Sequence, residues 1–292
     1  MTPDANEIKK YQDVSLKLNP IDAPMFSKMA EHLSFIQEAL RVFLRDPELV
    51  VLQTLPEKKI VNLYGRSAVL DSKCQLGDGR IVNVEVQKAD QDDHLKRTRY
   101  YGALLTTNIS DPGKNFNEVP DVCVVYVTAF DPFGKNRVAY HAYNMLEEFN
   151  ERVENGYEEW YINAAVQDGS EIARYLKLWV EPDAYSDEFP ETSRLKNIYK
   201  NTVEGRQEMS SVVAQLCEES MARGIKIGEK RGEKRGEKRG EKRGRGEGIE
   251  MLTQLFNILY SRGRDQDAKR VSIDADYRDQ LLHEFFPEHY NE

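Results

Sequence analysis

The stretch Val82-Asn83-Val84-Glu85-Val86-Gln87 alternates apolar and polar side chains without interruption. A period of two is the mark of a half-buried strand, so the three valines face a core while Asn83, Glu85 and Gln87 share the other side. Upstream, Ala68 to Leu76 also reads as a strand, and Gly77-Asp78-Gly79 separates the two. A three-residue loop of this kind takes a left-handed residue at its last position, where glycine is free to sit. Leu76 then faces Arg80, and counting back places Lys73 opposite Asn83, Asp71 opposite Glu85 and Val69 opposite Gln87. A two-residue loop would instead pair Asp71 with Val86 and drive an unpaired charge into the core face, which is costly. The hydrophobic pattern therefore selects the longer loop. Cross-strand partners have Cβ atoms about 5 Å apart, so two carboxylates stand side by side. Lys73, Asn83 and Gln87 lie on their face, and Leu70 joins Val82, Val84 and Val86 on the other.

The rest of the chain surrounds this hairpin with mixed elements. Met25 to Arg45 carries apolar residues at helical spacing. Asp92 and Asp93 supply N-terminal helix signals for a segment from about Leu95 to Thr107. Val122 to Phe130 is a β-branched and aromatic run that reads as a buried strand. The order helix, strand, strand, helix, strand predicts an α/β domain over residues 1–180. A helical extension is expected over 181–225, followed by four copies of GEKR in a solvated, marginally helical linker over 226–248. In a helix the repeat stacks like on like four residues apart, and each glycine costs about 1 kcal/mol relative to alanine. Residues 249–292 form a C-terminal helical segment suited to a small hairpin or to homo-oligomer contacts.

Three scattered cysteines, Cys74, Cys123 and Cys217, make neither a disulfide framework nor a zinc site. That usage fits a reducing compartment. The absence of a long apolar run and the polar start MTPDANEIKK predict a cytoplasmic chain with no membrane partner. A formal net charge of −9 opposes bulk attraction to a polyanion, though a local basic surface can coexist with it.

Adjacent carboxylates repel, and such a pair is stabilised by a divalent cation between them or by protonation of one. Oxygen ligands suit a hard ion, Mg²⁺ or Mn²⁺. A solvated polar face on an ordinary hairpin is the alternative that geometry alone leaves open.

The segments Leu70-Asp71-Ser72-Lys73, Asp78-Gly79-Arg80, Ile81 to Gln87 and Arg97-Thr98-Arg99-Tyr100-Tyr101 together resemble the PD-(D/E)XK nuclease superfamily. They are most similar to its branch of recombination-promoting nucleases and transposases, in which a Glu-x-Gln motif precedes a helix bearing Arg and a Tyr-Tyr pair. The resemblance implies a restriction-endonuclease-like α/β core, a mixed sheet flanked by helices, with an α-helical C-terminal region. It implies a Mg²⁺-dependent DNA endonuclease with Asp71 and Glu85 as metal ligands. Gln87 stands where most of the superfamily has a catalytic lysine, which leaves a positive charge to be found elsewhere. Lys73, on the same face, is one source, whereas Lys88 points to the opposite face. Arg97 and Tyr101 are expected on the nucleic-acid side. An additional acidic group from the first helix is common in the superfamily, with Glu31 and Glu38 the options here. The competing expectation is a nuclease fold that no longer cuts and serves as a DNA-binding or protein-interaction module.

Overall fold

The computed structural model describes residues 5–60 and 67–289, with the backbone alone at residues 5–8 and 223. The helices are α1 (Ala5–Ser15), α2 (Ala23–Ala30), α3 (Leu33–Leu44), α4 (His94–Ile109), α5 (Glu171–Val180), α6 (Pro190–Asn201), α7 (Val203–Ser261), α8 (Asp265–Ile273) and α9 (Ala275–Phe285). The strands are β1 (Val51–Ile60), β2 (Ala68–Leu76), β3 (Ile81–Gln87), β4 (Val122–Thr128), β5 (Ala139–Tyr143), β6 (Met145–Leu146), β7 (Glu151–Arg152) and β8 (Tyr157–Asn163). Two compact units divide the chain, one reaching to Cys217 and the other starting at Glu218. No described helix is long and apolar enough to cross a membrane.

In the first unit, six strands form a mixed sheet in the order β1-β2-β3-β4-β8-β5. The β1-β2-β3 edge is antiparallel, β3, β4 and β8 run parallel, and β5 returns antiparallel to β8. Parallel strands need a crossover between them, and α4 supplies it between β3 and β4. The fold is thus an α/β mixed sheet flanked by helices.

One sheet face carries the main apolar core. Val82, Val84 and Val86 of β3 and Val125 and Val127 of β4 meet Phe26 of α2, Phe35 and Phe43 of α3, and Trp179 of α5 in one buried cluster. The Trp179 ring stacks on Phe35 at 5.6 Å and meets Phe43 edge-on at 5.3 Å. Ser170 caps the start of α5 by accepting from the Ala173 N–H. Its C-terminal end is closed by buried Lys196 of α6, whose Nζ donates to the carbonyls of Leu178, Glu181 and Ala184. The N-terminus of α6 rests on Glu38 of α3, which accepts from the N–H groups of Glu191 and Thr192. A carboxylate there also complements the helix dipole. Because Phe189, Leu195, Tyr199 and Met209 belong to the same core, this unit continues past residue 180.

The helical pattern from Met25 to Arg45 is interrupted where sequence periodicity reads through. His32 takes an extended conformation between α2 and α3, and its Nε2 lies 3.0 Å from the Tyr199 hydroxyl. A contact to a residue 167 positions away is invisible to local pattern. In the second unit, the end of α7 packs with α8 and α9 through Leu255, Leu259, Val271, Leu281 and Leu282. The GEKR repeats lie inside α7 as exposed helix.

Candidate functional site

The hairpin forms in the expected register. Gly79 takes φ +94°, Leu76 N–H donates to Arg80 O, and the ladder pairs Gln75 with Ile81, Cys74 with Val82, Lys73 with Asn83 and Ser72 with Val84. At the next position the backbone ladder stops and side chains replace it. Asp71 N–H donates to Glu85 Oε1 at 3.1 Å, and Val86 N–H donates to Asp71 Oδ2 at 2.8 Å. The expected pairing of Val69 with Gln87 and the placing of Leu70 beside the valines are therefore corrected. Val69 pairs with Lys59 of β1 and is exposed, while Leu70 packs with Ile60, Ala68, Ile81, Leu104 and Leu105 beneath α4. The change of face coincides with Glu57 of β1, which lies between the pairs Pro56–Ser72 and Lys58–Leu70 and takes φ +52°. A left-handed residue inside a strand breaks its alternation, and Asp71 lies at that break.

Each carboxylate has one oxygen anchored. Glu85 Oε1 accepts from both Asp71 N–H and Asn83 Nδ2, the latter at 2.9 Å, and Asp71 Oδ2 accepts from Val86. Among the described residues no hydrogen bond reaches Asp71 Oδ1 or Glu85 Oε2. Burial pushes the Asp71 carboxyl above its ordinary range; Glu57 adds to the shift, and the Val86 hydrogen bond and Arg97 oppose it. Burial, followed by the charge of Asp71, drives Glu85 up well beyond that range. Two desolvated acids side by side hold a proton readily, and they would hold a cation for the same reason.

A hard divalent cation fits this donor set. The carboxylates are pre-oriented by backbone and amide donors, and among the described residues each keeps one oxygen without a hydrogen bond. Beside them, Asn83 Oδ1 is buried without a hydrogen-bond partner among the described residues. An orphaned acceptor of that kind is suited to a bound water or a hydrated ion. Among the described residues no group of three or more His, Cys, Asp and Glu side chains is arranged to hold a metal. The two first-helix options are engaged elsewhere: Glu31 pairs with Lys28 at 2.8 Å, and Glu38 caps α6.

The remaining sequence candidates gather unevenly. Gln87 Oε1 accepts from Arg97 Nη1 at 3.0 Å, and Gln87 Nε2 donates to Ala89 O at 2.8 Å. Arg97 Nη2 donates further to Gln91 Oε1 and Asp93 Oδ2 at 2.9 and 3.1 Å. Its charge acts on both Asp71 and Glu85, so α4 brings a guanidinium to the pair. Tyr101, one turn further along α4, lies within electrostatic reach of Arg97. Lys73 sits opposite Asn83, where burial and the neighbouring Lys58 lower its pKa. Lys88 points away and pairs with Asp22 at 2.7 Å.

Sequence reasoning missed two neighbours of the site. Tyr126 of β4 lies directly beside Glu85 in the parallel ladder, and its hydroxyl is 3.0 Å from His94 Nδ1. The other is Glu57, hidden because Pro56 obscures the strand pattern of β1.

A family model described as PD-(D/E)XK nuclease family transposase matches residues 32–180, which contain β1 to β3, α4 and every residue of the carboxylate pair and its surroundings. No curated protein and no solved structure matches the chain. With a mixed sheet carrying two adjacent acids at the end of a hairpin and a family match over half its length, the chain belongs to the PD-(D/E)XK nuclease family transposases.

Proposed function

We propose that the protein is a metal-dependent DNA endonuclease of the recombination-promoting, transposase-associated type, with Asp71 and Glu85 holding Mg²⁺ or Mn²⁺. The observation that carries this reading is the pair itself. Two acids are forced together in a desolvated position, each with one oxygen pinned and the other without a hydrogen bond among the described residues. A protein gains nothing in stability from such an arrangement, because the ionised forms are costly without a compensating charge. A divalent ion bound there would polarise a phosphodiester and lower the pKa of a coordinated water.

The chain's own groups have simpler tasks. Asn83 fixes the Glu85 carboxylate, and the Val86 N–H fixes that of Asp71. Hydrolysis joins a water oxygen to phosphorus and breaks the bond to the departing sugar oxygen. One water proton is lost to the surroundings and the leaving oxygen gains one. Homo-oligomer formation through the C-terminal helices belongs to the same proposal, and light scattering of the full chain tests it.

The decisive experiment incubates the purified protein with plasmid DNA, with and without Mg²⁺ or Mn²⁺. Cleavage that needs the metal and disappears in Asp71→Ala and Glu85→Ala, with folding intact, supports the reading. Undiminished metal-dependent cleavage in either variant overturns the site. Metal binding without any cleavage points instead to a nuclease fold retained for DNA binding.

A further inference from the structure

Both ends of Gln87 are engaged. Its oxygen receives Arg97 and its nitrogen donates to the Ala89 carbonyl, so the amide is held in one orientation by these two partners. Arg97 is gripped in turn at three points, by Gln87, Gln91 and Asp93. Three acceptors on one guanidinium fix its plane, which a lysine ammonium would not require. Two of the five N–H donors, at Nε and the second Nη1 position, have no partner among these contacts. The side chain is about one-fifth exposed, so it is not sealed inside the protein.

We infer that Arg97 supplies the positive charge at the scissile phosphate, and that Gln87 is the positioning residue that aims it. The inference rests on the nuclease reading above and assigns its missing cation. A guanidinium with spare donors can give a charge-assisted hydrogen bond to a non-bridging oxygen of a phosphodiester, where it stabilises charge that grows during attack. No proton is transferred by the guanidinium. A glutamine at position 87 then has a physical reason: a lysine there would place a second cation against Arg97 and remove the acceptor that holds it. Lys73 is the weaker source, since it lies opposite Asn83, two residues closer to the turn than Glu85, with Lys58 as its charged neighbour.

The test is a double-mutant cycle on the full chain, read by single-turnover plasmid cleavage in Mg²⁺ and by calorimetric Ca²⁺ binding at pH 8. Arg97→Gln is expected to cleave about 100-fold more slowly. The same variant binds Ca²⁺ about five-fold more tightly, because a cation facing a dication has been removed. Gln87→Ala alone slows cleavage about ten-fold and adds nothing in the Arg97→Gln background, as expected of residues acting through one another. Gln87→Lys combined with Arg97→Gln restores about ten-fold over Arg97→Gln, the charge now coming from the strand. An Arg97→Gln rate within about three-fold of the parent overturns the assignment, as does a Gln87→Ala defect of equal size in both backgrounds. Should Arg97→Gln fail to fold by circular dichroism, Arg97→Met replaces it: slower cleavage with tighter Ca²⁺ binding supports the assignment, and a parental rate overturns it. If the parent itself never cuts DNA, the nuclease reading fails and the Ca²⁺ data alone decide. Tighter binding in Arg97→Gln, unaltered by adding Gln87→Ala, then supports the pairing, whereas unchanged binding rejects it.

Discussion

Strand β3 shows two different chemistries on its two faces. Toward α2, α3 and α5 it presents Val82, Val84 and Val86, which meet phenylalanines and Trp179 in a dry, aromatic core. Toward α4 it presents Asn83 and Glu85, buried almost as completely but surrounded by hydroxyls, amides and charge. The apolar face stabilises through area removed from water, whereas the polar face costs desolvation that hydrogen bonds only partly offset. One layer of backbone thus separates the part of the molecule that holds it together from the part to which the proposed chemistry is assigned. The valine side admits a polar group only where it is paired, as buried Ser72 is with Thr54, whereas the acidic side holds carboxyl groups that a purely structural design would discard.

The comparison can be broken or sharpened by substitution on either side. The largest expected effect is on the apolar face, where Trp179→Ala empties the centre of the aromatic cluster and costs about 3–5 kcal/mol. Urea unfolding should show that loss; a midpoint close to that of the parent would mean that the cluster is not the keystone of the core. Next comes Lys196→Met. Three carbonyls around the end of α5 lose their common donor, and unfolding should become easier by about 2–3 kcal/mol.

Gly102 of α4 tests the packing of the polar face. A Cβ there would run into the Tyr157 ring, so Gly102→Ala should destabilise by about 1–3 kcal/mol despite alanine's better helix propensity. A neutral or stabilising outcome would show that Tyr157 can move aside. Opposite in sign is Glu85→Gln measured in chelator. Removing a desolvated acid beside Asp71 should raise the melting temperature by a few degrees, even as the proposed cleavage is lost. A fall would mean that the carboxylate contributes to stability and is not held there at a cost.

The smallest effect is expected in the repeat. The glycines at 228, 232, 236 and 240 have open space where a Cβ would go. Replacing all four with alanine should raise the helix content by circular dichroism and slow amide exchange locally, each substitution being worth about 1 kcal/mol of helix propensity. The melting of the unit that ends at Cys217 should not change.

Those outcomes also separate two kinds of legibility. The repeat illustrates a local reading that underrated its segment, because each glycine's weakness was weighed and the continuity of α7 on both sides of it was not. The strand β8, parallel to β4 and central to the sheet, drew no expectation at all. Its alternation is blurred because Tyr157 and Glu159 both turn toward α4, where the tyrosine hydroxyl donates to the carboxylate at 2.6 Å.

The β2-β3 hairpin was readable from residues 68–87 because turn type, glycine placement and side-chain alternation are all short-range properties that must agree within one loop. The pairing of Asp71 with Glu85 followed from them, and so did the expectation of a cation. The grip of Gln87 on Arg97, the switch of face at Asp71 opposite Glu57, and the break at His32 were decided by the folded molecule. Each depends on groups brought together by the β3-β4 crossover, by the pairing of β1 with β2, or by α6 returning to α3. No periodicity within a segment encodes which distant side chain arrives at its surface, since that is settled by how the layers pack.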